Sequence, residues 1–271
     1  MSLADIEDLP FRTVDGQTLL GRLYRPQTGG PAPFVVDAHG GAWGSGDRLN
    51  NEVIHRDLAA RGIGIFALDF RLSSVARYPA PVDDVSFGVR WFRANAARLG
   101  LEAAAVGGLG ASSGGQQMGL VALCPGGAEW TTPDPALENV DAALDFFVAC
   151  WPILDPLARY RMVQANGNDR LVAAHEAYFA DEAAMTRGNP HLLLERDAAT
   201  RLPPTLIVQG TGDANVQHDW QDRFAGLYRA KGGDIRVEKF DGQPHTFVTA
   251  DPDTPASKAA IRTIGDFILG R

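Results

Sequence analysis

Five short apolar runs separated by longer amphipathic stretches limit what this chain can become: Phe34 to Ala38, Ile63 to Leu68, Ala103 to Leu109, Ala142 to Ala149 and Thr205 to Val208. Runs of that length without polar alternation read as strands buried on both faces. Such strands need helices above and below, so the pattern predicts an α/β protein with a mostly parallel central sheet. Among the intervening stretches, Val82 to Leu99 carries Val85, Val89, Phe92, Ala96 and Leu99 at helical spacing and is followed by Gly100 as a stop. A second helix is predicted over Asp219 to Lys231, followed by a strand at Ile235 to Phe240, and a last helix over Pro255 to Leu269 with proline in its first turn. At the start, Phe11 to Val14 and Thr18 to Tyr24 alternate in polarity around Asp15-Gly16, which predicts a hairpin.

This rhythm fails between Asp155 and Leu202, where the sequence is helical in character but polar and rich in asparagine from Gln164 to Asp169. A stretch that long does not fit an ordinary strand-to-helix connection and reads as an inserted helical cap. Otherwise composition is uniform along 271 residues, so a single domain, 1–271, is expected with 155–202 inserted in it. The 33 acids against 25 bases give a charge of -8 with no basic stripe, which argues against nucleic acid as a partner. The acidic opening, Met1 to Asp8, lacks the basic and apolar regions of a secretory signal, and no apolar run approaches bilayer-spanning length. A cytoplasmic protein without membrane contact is the expectation. Cys124 and Cys150 end apolar runs, which reads as buried reduced thiols, and no metal-ligand spacing accompanies them.

Two glycine-rich segments carry the chemistry. Gly110-Ala111-Ser112-Ser113-Gly114-Gly115 lies between an apolar strand and the apolar helix Gln116 to Leu123, which is G-x-S-x-G in a strand-turn-helix setting. A turn that lifts a serine into a strained conformation tolerates little bulk beside it, and Gly110 and Gly114 meet that need. Ser112 is therefore the candidate nucleophile; Ser113 is the rival, but that frame puts Ala111 at the first glycine position. The second segment, His39-Gly40-Gly41-Ala42-Trp43, follows the strand Phe34 to Ala38. Acyl transfer builds negative charge on a carbonyl oxygen, and glycines let backbone N–H groups approach that charge.

Together these motifs resemble the HGG-containing esterases of the α/β-hydrolase superfamily, a group that includes hormone-sensitive-lipase-like carboxylesterases and kynurenine formamidases with HGGxW. The likeness spans nearly the whole chain and implies the α/β-hydrolase fold. It implies that the N–H groups of Gly41, Ala42 and Ser113 form an oxyanion hole and that His39 braces the loop. In that fold the remaining catalytic groups follow in the order acid, then histidine. Asp213, in Gln209-Gly210-Thr211-Gly212-Asp213 after the strand Thr205 to Val208, fits the acid. Asp155, in Trp151-Pro152-Ile153-Leu154-Asp155, is the alternative, and a helix cap is its plain structural role. His245 lies in the loop before the final helix, where the resemblance requires the base. His55, His175, His191 and His218 fit no such place and read as surface or capping residues.

Trp43 and Trp151 are the candidate substrate contacts; Trp130, Tyr160, Tyr178 and Phe179 read as packing of the cap on the body. The expected function is a serine esterase acting on small to medium carboxylic esters, with no cofactor and no metal. The alternatives are an arylformamidase or amidase with the same triad, and a non-catalytic binding protein on the same fold.

Overall fold

The computed structural model describes residues 6–271; the first five residues of the acidic opening stretch, read above for a signal, lie outside them. Eight strands form one sheet in the order β1-β2-β4-β3-β5-β6-β7-β8. β1 (Ile6–Val14) and β2 (Gln17–Tyr24) make the N-terminal hairpin, and β2 runs antiparallel to β4 (Gly64–Leu68). From β4 onward every neighbour is parallel: β3 (Ala32–Ala38), β5 (Ala103–Ala111), β6 (Phe147–Cys150), β7 (Thr205–Gly210) and β8 (Ile235–Phe240).

Alternation along the inner strands assigns side chains to two cores. Phe34, Val36 and Ala38 face the core that also holds Val82, Val85, Val89 and Phe92 of α2 (Ala80–Asn95), Met118 of α3 (Ser113–Leu123) and Phe224 of α8 (His218–Ala230). Val35 faces the other, with Ile54 and Leu58 of α1 (Glu52–Ala60) and Ala260, Ile261, Ile264 and Ile268 of α10 (Pro255–Leu269). Each fully buried aliphatic side chain of this kind contributes about 1.5–3 kcal/mol relative to exposure. α10 begins as its sequence suggests: the Thr254 hydroxyl accepts the Ser257 N–H, and Pro255 opens the first turn.

Two expectations about elements need correcting. The helix expected to run to Leu99 ends at Asn95 and tightens into a 3-10 turn over Ala97–Leu99 before Gly100, in the left-handed region. The run from Ala142 enters the sheet only at Phe147. Ahead of it Ala142, Ala143, Leu144 and Phe146 are buried, yet the polar groups there are used differently: the Asp145 carboxylate accepts the Val106 N–H, and the Arg93 guanidinium donates to the Ala143 carbonyl. An apolar run reports burial, and here burial extends beyond the strand.

Between β6 and β7 lie four short helices, α4 (Pro156–Ala165), α5 (Asp169–Tyr178), α6 (Glu182–Arg187) and α7 (Pro190–Glu195). Their N-caps are Asp155, Asn168, Asp181 and Asn189, whose side chains accept the N–H of Ala158, Leu171, Ala184 and Leu192. The polar, asparagine-containing character of this stretch is thus in part a series of helix starts. Asp155, the alternative acid, is spent on this task and on a 2.8 Å hydrogen bond from Asn189.

Candidate active site

All the parallel strands point their carboxyl ends to one edge, and the loops leaving β3, β5, β6, β7 and β8 meet there. β5 passes into α3 with only Ser112 between them, and Ser112 adopts φ 50 and ψ -114. A non-glycine residue in that region carries strain on the order of 1–3 kcal/mol, held by its surroundings. The surroundings are explicit: the Ser112 N–H donates to the Cys150 carbonyl, and the Ser112 carbonyl accepts from Gly115 and Ile153. Gly114 lets the turn press against β3, since a Cβ there would sit 2.0 Å from the Ala38 carbonyl oxygen.

Ser112, His245 and Asp213 come together. Ser112 Oγ lies 2.9 Å from His245 Nε2, and His245 Nδ1 lies 2.7 Å from Asp213 Oδ2. The Asp213 carboxylate is saturated with donors: Oδ1 accepts the N–H groups of Asn215 and Val216, and Oδ2 also accepts Gln209 Nε2 at 3.0 Å. Burial pushes this carboxyl upward, but the bonds from His245, Val216 and Asn215 outweigh it and hold the group below the usual carboxylate range. Gln209 is in turn gripped by Gln221 of α8. No sequence motif marked these glutamines; a glutamine directly after the apolar run Thr205 to Val208 was the available signal.

Ser113 turns the other way, and its Oγ accepts the Trp43 N–H at 3.2 Å. It therefore ties the 39–43 loop to the serine turn. Gly41, Ala42 and Trp43 all have positive φ, at 121, 50 and 61. The N–H groups of Gly41, Ala42 and Ser113 make no backbone or side-chain hydrogen bond among the described residues. His39 lies beneath the loop, buried, stacked on Phe70 at 4.2 Å and bonded through Nδ1 to the Gly40 carbonyl. Burial lowers its pKa.

Gly41, Ala42, Ser112, Trp151 and His245 line one cleft of about 300 Å³ with Arg159, Arg170, Leu171 and Asn215. A wider surface cleft of about 880 Å³, around Arg90, Pro125 and Leu137, contains none of the candidate residues. Among the described residues no three His, Cys, Asp or Glu side chains converge as a metal site requires, and no helix is long and apolar enough to cross a membrane.

A model of the BD-FAE family matches residues 22–225, three quarters of the chain. The chain belongs to the BD-FAE family of α/β-hydrolase esterases. This BD-FAE chain is 26% identical over 253 residues to the ethyl acetate hydrolase of Pseudomonas putida, covering 90% of the chain and 76% of that protein. It is 27% identical over 256 residues to the carboxylic ester hydrolase LipN of Mycobacterium tuberculosis, covering 90% and 64%. In fold it is similar to a thermophilic esterase of Thermogutta terrifontis, Est2, solved with propionate bound: TM-score 0.79, 23% identity, 98% of this chain and 94% of that one. Est2 has also been solved with butyrate bound and phosphorylated by paraoxon.

Three sequence expectations are overturned at this site. Trp43, expected to face substrate, is a core side chain: it stacks on Tyr178 at 4.9 Å, and its Nε1 donates to Gln116 Oε1 at 2.9 Å. Its length and single N–H suit it to anchor the loop to the helical segment, and Gln116, bonded onward to the Gly188 carbonyl, completes that anchor. His55 and His175, read as surface or capping residues, are both fully buried. His55 bonds to Asp37, and His175 bonds to Arg159 and the Leu171 carbonyl. Cys150 is buried, with its thiol pushed up by desolvation, and Cys124 is half-buried; both are free.

Proposed function

We propose that this cleft hydrolyses small to medium carboxylic esters by acyl transfer through Ser112, with His245 as general base and acid and Asp213 as the carboxylate that orients it. The observation that carries the reading is the unbroken relay from Asp213 Oδ2 through both nitrogens of His245 to Ser112 Oγ, at 2.7 and 2.9 Å. Imidazole takes the serine proton as Oγ attacks the ester carbonyl. The oxyanion that forms is received by the N–H groups of Gly41, Ala42 and Ser113, fixed beforehand and not consumed elsewhere. The same imidazole protonates the departing alcohol, and water releases the acyl group by the reverse sequence. The scheme calls for no cofactor. The relatives above are named for ester hydrolysis.

Substrate size follows from residues 155–202, which we read as a cap inserted into a single domain. Arg159, Arg170 and Leu171 of that segment and Trp151 ahead of it wall a cleft of about 300 Å³, the small end of ligand sites. The names of the relatives agree with short acyl groups: one hydrolyses ethyl acetate, and Est2 was solved with propionate and with butyrate. Each methylene that finds apolar cover adds about 0.8 kcal/mol of binding, and one that meets the polar wall adds nothing. The test is kcat/KM for p-nitrophenyl esters from acetate to palmitate, with Ser112→Ala alongside. Expected is a rise through the short chains, then a fall, and loss of turnover in Ser112→Ala without a change in the folding transition. Steady improvement to palmitate overturns the walled cleft; retained turnover in Ser112→Ala overturns the nucleophile.

A further inference from the structure

The charges around the cleft are unbalanced. Arg159, on α4, is 1% exposed, yet no carboxylate of the described residues pairs with it. Its guanidinium donates instead to the Asn215 side chain and carbonyl and meets His175 Nε2 at 3.3 Å. Burial lowers its pKa to about 10, so it remains cationic at neutral pH. Arg170, at the start of α5, is exposed, lines the same cleft and makes no side-chain hydrogen bond or ion pair among the described residues. Arg170 is close enough to Arg159 to depress its pKa further. No carboxylate lines the cleft beside them, and the carboxylate of Asp213, behind His245, is already saturated. Two guanidiniums on one wall of a half-enclosed cleft, in a protein of net charge -8, are a local reversal of sign.

A buried cation is costly, and the usual remedy is a directly paired carboxylate; Arg159 has only the charge of Asp213 acting through space, without a salt bridge, and Arg170 has no partner among the described residues. Bracing the Asp213 to Asn215 turn explains why Arg159 is present, but not why a second, unpaired arginine stands beside it. Resting on the hydrolysis reading above, we propose that the cleft selects anionic esters: substrates carrying a carboxylate a few bonds from the ester, held by Arg170 in the positive field of Arg159. Arg170 is the specificity-determining residue, because its guanidinium has donors to spare where those of Arg159 are committed. The polar groups that share the cleft, Asn50, Asn51, Thr246 and Thr249, suit a solvated anion better than an alkyl chain.

Two matched pairs test this by pH-stat. Monomethyl glutarate against methyl hexanoate places the carboxylate on the acyl side; O-acetylglycolate against propyl acetate places it on the alcohol side. In at least one pair the anionic member should have a kcat/KM on the order of tenfold higher, and that ratio should fall toward one in Arg170→Gln while Arg170→Lys keeps much of it. Moderate salt should compress the ratio as well. With p-nitrophenyl acetate turned over normally, ratios near or below one in both pairs overturn the proposal, as does a tenfold ratio that survives Arg170→Gln. Absence of any ester turnover, p-nitrophenyl acetate included, overturns the hydrolysis reading itself.

Discussion

Among the described residues two histidines meet an aspartate, one pair fully buried and the other half-buried at the edge of a cleft. His245 meets Asp213 at 2.7 Å, and His55 meets Asp37 at 3.0 Å. In the first, the second ring nitrogen faces Ser112 Oγ at the wall of a cleft. In the second, the other nitrogen is buried without a partner, the ring packs against Tyr24, and Asn51 fills the remaining side of the carboxylate. The pair at Asp37 joins α1 to β3 from within the second core. The same two functional groups therefore stand behind a serine at a cleft or form an internal tie, according to what lies beyond the imidazole.

The sharpest way to break this comparison is to remove the two carboxylates separately. Asp213→Asn should lower kcat by about 10⁴-fold, since the imidazole loses the partner that fixes its tautomer and stabilises its protonated form. Asp37→Asn should leave kcat within about tenfold but cost about 1–3 kcal/mol in urea unfolding, because His55 and Asn51 keep buried donors without an anion. Equal loss of turnover in the two variants would erase the distinction between them.

A smaller effect probes the backbone half of the site. Gly41 has φ 121, and a Cβ there would lie 1.9 Å from the Ser45 carbonyl oxygen. Gly41→Ala must displace the loop, and kcat should fall by roughly 10²–10³-fold, as when one oxyanion donor is lost. Unchanged kcat would remove this loop from the mechanism.

The smallest effect concerns a histidine that belongs to neither pair. Burial, aided by the charge of Arg159, lowers the pKa of His175 from 6.5 to about 4. Between those values the unfolded chain binds more protons than the folded one, so stability rises with pH and is lost as pH falls from 6.5 toward 4. His175→Gln should flatten that window by up to about 3 kcal/mol at its acid end. Asp213 acts in the same direction but lower: its depressed pKa confers stability above the ordinary carboxylate pKa that is lost as pH falls through the folded value. A parent curve with no slope between 6.5 and 4 would show that His175 is not kept neutral by its surroundings.

Much of this architecture was legible because it follows from local rules. Buried strands need uninterrupted apolar residues, so β3, β4, β5 and β7 stood out, and a strained serine turn needs glycines, so Ser112 did too. The start of α10 was legible as well, because proline suits a first helical turn and Thr254 caps it from within the same turn. The run from Ala142 misled because hydrophobicity records burial, whereas strand pairing depends on which carbonyls the neighbours leave free.

What the chain order alone determined was the inventory: a parallel sheet, a serine on a sharp turn, a glycine loop ahead of it, and an acid and a histidine late in the chain. Only the tertiary structure decided between Asp213 and Asp155 as the carboxylate behind that histidine, that Trp43 is a buried anchor of its loop, and that Arg159 and Arg170 line one cleft. The physical reason is range. Turns, caps and strand burial are set by residues a few positions apart, whereas a hydrogen bond such as that between Ser112 and His245 spans 133 positions and exists only when the parallel strands bring their carboxyl ends to one edge.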